Sequence, residues 1–252
     1  MNDLLSPTTW ALALLLVSAL VLLALTILHR RREVGIRVRE ISAFTDLQDQ
    51  LGRAAESGKP FHIALGTGGL GSGSTVSSLA GLQLLEGIVD AAVAYDVVPV
   101  VTVGDPTLLP LAQDVLRRAY ERNQIPESYD SSQVRFLGPS PTVYAAGAVP
   151  VGAPEDVTLN VALGTYGPEA TLIADISNRH GKPMAAAVDS AEAIGALFPA
   201  VRRLAAGEEL YATGAQVTDD KKFVASLITE DILRLMLVLI IVVLSLVALI
   251  GG

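Results

Sequence analysis

Two long runs without charged residues, one near each end of the chain, constrain its organisation more than any other feature. The first, Trp10–Leu28, has 19 residues, and a helix of that length crosses about 30 Å of hydrocarbon. The second, Leu235–Ile250, has 16 residues and is completed by Leu233, or by Gly251 and Gly252, if Arg234 extends to the interface. The sequence therefore predicts transmembrane helices over residues 10–28 and 235–252, with the lipid bilayer as a partner.

The charges around the first run distinguish a retained anchor from a cleaved signal peptide. A signal peptide carries positive charge before its apolar segment and a small-residue cleavage site after it. Here residues 1–9 contain one acid and no base, whereas His29 and Arg30–Arg32 follow the run. Because lysine and arginine stay on the cytoplasmic side, we expect a two-pass protein of the bacterial inner membrane. Both termini would lie outside, and the main domain in the cytoplasm.

Composition and charge exclude several classes of function. The 252 residues include 18 Lys and Arg against 26 Asp and Glu, a net charge of −8. Five of the basic residues lie together between Arg30 and Arg39, which leaves the rest of the chain more acidic still. Such a surface repels phosphate backbones, so we expect no nucleic-acid partner. Because the chain has no cysteine, it has no disulfide, thiolate zinc site or cysteine nucleophile.

Between the predicted spans, apolar runs of strand length alternate with helical segments. Runs that are apolar throughout indicate strands covered on both faces, and hence a parallel sheet with right-handed crossovers. We expect a Rossmann-like, doubly wound α/β domain of five to six strands over residues 59–217, with the strand order left open. The predicted strands are Phe61–Leu65, Val97–Val103, Val134–Leu137, Thr158–Leu163 and Pro183–Val188. The predicted helices lie near residues 75–94, 107–123, 141–148, 168–180 and 190–206.

Residues 29–58 are predicted to form a basic juxtamembrane segment and a connecting helix. Glu33–Ile41 alternates apolar and charged residues, as a short edge strand does. Thr45 has capping-box spacing, so a helix is expected to begin there and to end at Gly58.

The other flank of the domain leads to the second span. Glu209–Val217 resembles a further strand. Thr218 is suited to cap a helix over residues 218–234, since two acids follow it in the first turn.

A glycine-rich segment follows the first predicted strand, at the end where open α/β sheets bind their ligands. Gly66, Gly68 and Gly71 match G-x-G-x-x-G between a strand and a helix, and Gly68–Thr75 has phosphate-loop spacing with Ser74 in place of the lysine. This pattern favours either a cradle of backbone amides for an anion or a flexible turn that lets helix and strand pack closely. The candidate binding residues are Gly66, Thr67, Gly68, Gly69, Gly71, Ser72, Ser74 and Thr75.

The charges of the neighbouring loops weigh against an unassisted phosphate. Asp105, a further candidate, follows the second predicted strand, where a dinucleotide site requires an acid, but it lies 34 residues after Gly71 rather than about 20. The loops after the strands contain Asp105, Glu169 and Asp189 and no lysine or arginine. A nucleotide would therefore need Mg²⁺ beside it. The alternatives are an uncharged ligand, a metal held by Asp105 and Asp189, or no cofactor.

A short internal repeat adds a second loop to the candidate site. Ala64–Gly69 recurs as Ala162–Gly167, with five of six residues identical at an offset of 98. If the repeat reflects duplication rather than the Ala, Leu and Gly content of the chain, the two loops are expected to flank the point where the strand order reverses. Gly164, Thr165 and Gly167 thereby join the candidate binding residues.

Residues suited to catalysis are sparse. His62 lies inside the first predicted strand, where we expect a satisfied core or edge residue, His29 is juxtamembrane, and His180 closes a predicted helix. The order of strand, paired glycines, helix, strand and tight turn loosely resembles membrane-bound serine proteases of the Clp and crotonase type. Their serine has no counterpart in Gly104–Thr107, and Thr107 is a poor substitute without a base. The sequence predicts no catalytic residue.

Three segments carry a resemblance to a known family, namely His62–Gly71, Ala94–Asp96 and Val103–Ala112. They resemble an uncharacterised family of bacterial membrane proteins, a domain of unknown function, and the likeness covers most of the chain with both anchors. It implies a membrane-anchored domain and brings no activity, cofactor or catalytic residue.

Three functional hypotheses follow. The leading one is a non-catalytic domain, tethered at the cytoplasmic face of the membrane, that self-associates or scaffolds membrane-protein partners. Its basis is the two anchors, the loops without bases and the lack of a nucleophile–base pair. The second is a sensor of a nucleotide or small metabolite that uses the Gly66–Thr75 loop. The third is a divergent Clp- or crotonase-like hydrolase that lacks its serine.

Overall fold

The computed structural model describes residues 46–153 and 157–218, together with Leu20, Phe44 and Leu237. Nearly all of these residues belong to one compact unit, Arg39–Thr218. Apart from Leu20 and Leu237, both predicted spans lie outside the described residues. So do the predicted strand over Glu33–Ile41 and the predicted helix after Thr218. Those four predictions stay predictions.

Strands and helices alternate along almost the whole of the described unit. The strands are β1 (Phe61–Gly66), β2 (Pro99–Val103), β3 (Val134–Phe136), β4 (Asn160–Thr165), β5 (Met184–Val188) and β6 (Arg203–Ala206). The helices are α1 (Leu47–Ser57), α2 (Thr75–Ala94), α3 (Leu108–Arg122), α4 (Pro141–Gly152), α5 (Ala170–Arg179), α6 (Ala191–Leu197) and α7 (Glu209–Thr218). Two short 3-10 helices, Pro126–Ser128 and Ser131–Gln133, precede β3.

The six strands form one parallel sheet in the order β3-β2-β1-β4-β5-β6. Helices α1, α2, α3 and α7 contribute to the core on one face, and α4, α5 and α6 to the core on the other. The predicted α/β class and parallel sheet are confirmed. The strand order, which the sequence left open, is that of doubly wound dinucleotide-binding folds.

The parallel strands give the sheet a carboxyl edge and an amino edge. The carboxyl edge is formed by the strand ends and the loops that follow them, among them Gly66, Val103, Thr165 and Val188. The amino edge is formed by the strand beginnings, among them Phe61. Strand order reverses between β1 and β4, because β2 lies on one side of β1 and β4 on the other.

Helix α2 has the length and composition of a membrane span but packs in the core of the α/β unit. Within residues 46–153 and 157–218, it is the one helix long and apolar enough to cross a membrane, and 56% of that apolar window is buried. Leu84, Leu85 and Ile88 are fully buried against the sheet and neighbouring helices. An all-round apolar helix of this kind is typical of a core position.

The last part of the domain corrects two predictions. The predicted helix near 190–206 ends at Leu197, because Pro199 cannot continue it, and the sixth strand, β6, follows. The predicted strand Glu209–Val217 is helix α7. Its buried residues Leu210 and Thr213 are three apart, which is a helical spacing.

The predicted cap residues at both ends of the unit also differ from those observed. Thr218 does not cap a new helix, because it lies within α7, which begins at Glu209. At the first helix, Asp46 occupies the cap position and makes no capping hydrogen bond; its carboxylate pairs with Arg203 at the start of β6 instead. The predicted helix end is confirmed, since Gly58 adopts φ +64° there.

Candidate functional site

The strand order brings the two predicted glycine loops together. Gly66 pairs with Thr165 in the β1–β4 register, and the Thr67 amide donates to the Thr165 carbonyl at 3.1 Å. The loops therefore meet where the strand order reverses, which is the usual ligand position in an open α/β sheet. The placement expected from the internal repeat is confirmed.

The glycine loop is closed by hydrogen bonds to hydroxyl groups. Its amides donate as follows: Gly69 N to Ser74 Oγ (3.1 Å), Leu70 N to Thr107 Oγ1 (3.0 Å), and Gly71 N and Ser72 N to Thr75 Oγ1 (3.0 and 3.1 Å). Ser72 Oγ and Ser74 Oγ are themselves 2.7 Å apart. Amides that already have acceptors are not free to cradle an anion. The loop is therefore a hydrogen-bonded turn in this structure, which favours the second of the two alternatives that the sequence left open.

Gly66 admits only glycine, and a side chain at Gly69 would require Asp105 to shift. Gly66 has φ +72°, and a Cβ there would lie 2.2 Å from the Thr165 carbonyl oxygen. At Gly69 a Cβ would lie 2.2–2.6 Å from the carboxyl atoms of Asp105. The glycines are thus explained by close packing of backbone and side chains.

Asp105 lies on the glycine loop itself rather than at a ribose position further out. Its Oδ1 accepts from the Thr107 amide at 2.8 Å and from the Thr107 hydroxyl. A carboxylate packed against Gly69 occupies the surface that a phosphate would need and repels a negative ligand. Thr107, the only substitute for a catalytic serine that the sequence offered, is held between Asp105 and Leu70.

Asp189 follows β5, the strand next to β4, and borders the second glycine loop at Thr165. Its Oδ2 accepts from the Thr165 hydroxyl at 3.1 Å and from the Ser77 hydroxyl. Ser77, in the first turn of α2, also lies 3.1 Å from the Tyr211 hydroxyl. The other carboxylate oxygen, Oδ1, is buried and has no hydrogen-bond partner among the described residues. An acceptor in that position is destabilising until a donor reaches it.

The second glycine loop is arranged around a carboxylate of its own. Gly164 has φ +94°. The Gly167 amide donates to Glu169 Oε1 at 2.8 Å, and Glu169 is buried. The three acids that the sequence placed in these loops, Asp105, Glu169 and Asp189, therefore each accept hydrogen bonds within the site. Within the described part of the chain, no group of three or more His, Asp or Glu residues is placed to hold a metal ion.

A buried polar chain, which the sequence did not predict, leads from the core to the glycine loop. His62 is fully buried, with Nδ1 2.9 Å from Asn160 Oδ1 and Nε2 2.8 Å from Thr102 Oγ1. Thr102 Oγ1 is 3.2 Å from the Tyr144 hydroxyl, which accepts from the Gly66 amide at 3.2 Å. This series of hydrogen bonds thus crosses three adjacent strands and ends at the Gly66 amide, the first amide of the loop.

The bonding directions along this chain follow from one asparagine orientation. Asn160 Nδ2 donates to the Gly152 carbonyl and to Ser177 Oγ, so its Oδ1 faces His62. His62 then carries its proton on Nδ1 and accepts at Nε2 from Thr102. Burial lowers the pKa of His62 to about 4, so the ring is neutral at physiological pH. Of the alternatives for His62, the satisfied core residue is confirmed.

One signal in the sequence could have revealed this chain. His62, Thr102 and Asn160 are polar residues inside otherwise apolar predicted strands. Strand register places His62 beside Asn160 and, two steps further, Ala64 beside Thr102. Buried polar groups require partners, so three of them on adjacent strands indicate a network once strand order is known.

One comparison with known proteins finds a match. A family model described as a domain of unknown function (DUF6754) matches residues 3–252. It confirms the predicted resemblance to such a family. Comparisons with curated proteins and with solved structures find no match.

Proposed function

Because the chain belongs to the DUF6754 family, whose description assigns no activity, we propose a function from geometry and charge alone. The protein is a non-catalytic, membrane-anchored domain that binds a small polar ligand, neutral or cationic, at the carboxyl edge. The ligand contacts the two glycine loops where the strand order reverses, and Asp189 is its anchor.

One observation carries this proposal. Asp189 adjoins both glycine loops through Thr165 and offers a buried carboxylate oxygen without a partner among the described residues. A ligand hydroxyl, amide or ammonium group satisfies that oxygen. Nearby hydroxyls, such as those of Ser77 and Tyr211, add neutral donors and acceptors for a polar ligand.

The same geometry argues against an unassisted anionic ligand. The loop amides are engaged by hydroxyls, and Asp105 covers Gly69. The loops after the strands contain no lysine or arginine. A helix N-terminus alone contributes about 0.3–1 kcal/mol toward an anion, which does not offset repulsion by two nearby carboxylates. A nucleotide therefore requires Mg²⁺ as well as opening of the loop.

The non-catalytic and membrane-anchored parts of the proposal rest on different features. His62, on β1, has both ring nitrogens engaged in the core and is not available to a substrate. Anchoring, and the cytoplasmic side for the domain, rest on the two uncharged runs and the arginines that follow the first.

A thermal-shift screen of the full-length protein in detergent tests ligand binding. The panel contains polyols, amino acids and amines on one side, and nucleotides with and without Mg²⁺ on the other. We expect a neutral or cationic compound to raise Tm by mass action, and the rise to disappear in Asp189→Asn.

Asp175→Asn is the matched control, since Asp175 is exposed on α5 and pairs only with Arg179 among the described ion pairs. The control should keep the ligand-dependent rise. The proposal is wrong if Asp189→Asn keeps it too, if only nucleotides raise Tm, or if no compound of either group does.

Self-association, with the domain acting as a scaffold, is a second candidate function. It is favoured by Val76 and Leu79, which are 65% and 51% exposed and lie one turn apart on α2. Neighbouring exposed apolar side chains are typical of contact surfaces. Mass photometry of the solubilised protein tests it: we expect oligomers that a Val76→Lys, Leu79→Lys variant reduces, and a strictly monomeric wild type contradicts the scaffold.

A further inference from the structure

The two carboxylate oxygens of Asp189 differ in their hydrogen bonds. Oδ2 accepts from the Ser77 hydroxyl and, at 3.1 Å, from the Thr165 hydroxyl. Oδ1 is buried and has no hydrogen-bond partner among the described residues. A ligand at this carboxylate therefore meets one oxygen that already has two donors and one that has none.

The directions of these hydrogen bonds account for the hydroxyl protons beside the carboxylate. Because Ser77 donates to Asp189, it is Tyr211 that donates at the 3.1 Å contact between the Ser77 and Tyr211 hydroxyls. Thr165 also donates to Asp189, and Ser190 donates to a backbone carbonyl. These hydroxyls therefore offer a ligand their lone pairs, which accept hydrogen bonds, and no free proton.

The charges around Asp189 favour a cationic ligand. The described hydrogen bonds of this carboxylate come from neutral hydroxyls. The loops after the strands contain no lysine or arginine, and they add Asp105 and Glu169 to the negative charge. A carboxylate with a buried oxygen is stabilised when an opposite charge that can donate a hydrogen bond reaches it.

We propose that the ligand of the carboxyl edge presents a primary ammonium group to Asp189, an inference that rests on the proposed function and narrows its ligand class. A primary ammonium has three N–H donors and no acceptor. One donor bonds to Oδ1, and the others bond to lone pairs of the Tyr211 and Thr165 hydroxyls. Asp189, Thr165 and Tyr211 are half-buried, so rotations of these side chains admit the group.

The same hydrogen bonds disfavour other head groups. A guanidinium binds a carboxylate best as a planar fork that uses both oxygens, but Oδ2 of Asp189 already has two donors. A quaternary ammonium has no N–H to donate to Oδ1. A hydroxyl can donate to Oδ1, but its lone pairs meet no free hydroxyl proton there and it leaves the charge of Asp189 unbalanced.

Calorimetric titration of four propyl compounds into the full-length protein in detergent tests the ligand class. Propylamine, propylguanidine, propyltrimethylammonium and propanol share one alkyl chain and differ in the head group. We expect propylamine to bind about tenfold more tightly than each of the others, the effect of one charge-assisted hydrogen bond. Asp189→Asn should remove this preference, whereas Asp175→Asn, on the exposed side of α5, should keep it.

Ser77→Ala gives a readout that a purely structural effect would not produce. It removes one of the two donors to Oδ2, so propylguanidine should gain affinity relative to propylamine. Ser78→Ala is the matched control and should keep the preference for propylamine. The Ser78 hydroxyl is also buried and has no partner among the described residues, but it lies against Gly68, where a Cβ would be 2.8 Å from it.

The outcomes separate this inference from the proposed function. Circular dichroism and Tm first establish that each variant is folded. Equal binding of propylamine and propylguanidine to the wild type, or an unchanged preference in Asp189→Asn or Ser77→Ala, overturns the ammonium. If a neutral compound of the thermal-shift panel binds through Asp189 and propylamine does not, the ligand site stands and the ammonium is wrong. If neither propylamine nor any compound of that panel binds through Asp189, both are wrong.

Discussion

The two edges of the sheet have opposite character. At the carboxyl edge, hydroxyls bond to loop amides and carboxylates, one buried oxygen of Asp189 has no partner among the described residues, and Gly66 leaves no space for a side chain. At the amino edge, an open cavity of about 420 Å³ is lined by Arg53, Lys59 and Lys182 among uncharged residues. Helix N-termini meet the first edge and helix C-termini the second, so each edge carries the charges that its helix dipoles favour. The difference teaches that the protein's own carboxylates already occupy the places where a Rossmann-like sheet would attract an anion.

The buried chain through His62 connects the two edges. It begins at Gly152 and Ser177, which hydrogen-bond Asn160 at the start of β4, and it ends at Gly66. A partly satisfied network in a core is worse than an apolar core, so every member is expected to matter. Through this hydrogen-bond network, the rigidity of the carboxyl edge depends on residues near the amino edge.

The largest effect is expected at Gly66. In Gly66→Ala the new Cβ would meet the Thr165 carbonyl at 2.2 Å while the backbone keeps φ +72°. Overlap with backbone and left-handed strain together should lower the free energy of unfolding by roughly 3 kcal/mol. Gly73→Ala, with nothing within 4 Å, should change it by less than about 0.5 kcal/mol. Urea denaturation followed by circular dichroism measures both. Equal effects would mean that the carboxyl edge is not tightly packed.

The next effect is the pH dependence of stability from His62. The pKa of His62 falls from 6.5 to about 4 on folding. Between these pH values the unfolded chain therefore binds a proton at His62 and the folded chain does not. The contribution is therefore fully present above pH 6.5 and is lost as the pH falls toward 4, by roughly 3 kcal/mol in total. A titration followed by NMR should show the His62 ring unchanged down to pH 5. An apparent pKa near 6.5 for that ring would contradict its place in the network.

A third, smaller effect is expected at Tyr144, where the network meets the glycine loop. Tyr144→Phe removes the acceptor of the Gly66 amide, and a buried donor without a partner costs about 1–3 kcal/mol. Hydrogen exchange of the Gly66 amide should accelerate as well. Tyr95→Phe, at an exposed position, is the control and should alter neither quantity. Unchanged exchange in Tyr144→Phe would separate the network from the loop.

The elements that the sequence predicted correctly are those whose signal is local. Continuous apolar runs identified five strands, and the glycines after β1 and β4 marked both loops. The sixth strand was missed because Arg203–Ala206 is short and half-exposed, so nothing in its pattern separates it from the Ala-rich helix before it. The partners of Asp105 and Asp189 could not be predicted, since they come from elements whose adjacency depends on strand order. The amino-edge cavity gave no signal, because its lining residues are scattered along the chain.

The smallest effect is expected at the amino edge, at the ion pair of Asp46 and Arg203. Its side chains are 50% and 29% exposed, so solvent and salt screen the attraction, and pairs of this kind are worth less than about 1 kcal/mol. A double-mutant cycle with Asp46→Asn and Arg203→Gln measures the coupling, which should shrink further as salt is added. A coupling that exceeds this range and does not respond to salt would show that the amino edge is fixed as firmly as the carboxyl edge. The two edges would then no longer differ in this respect, because the charged groups of both would be fixed by contacts within the protein.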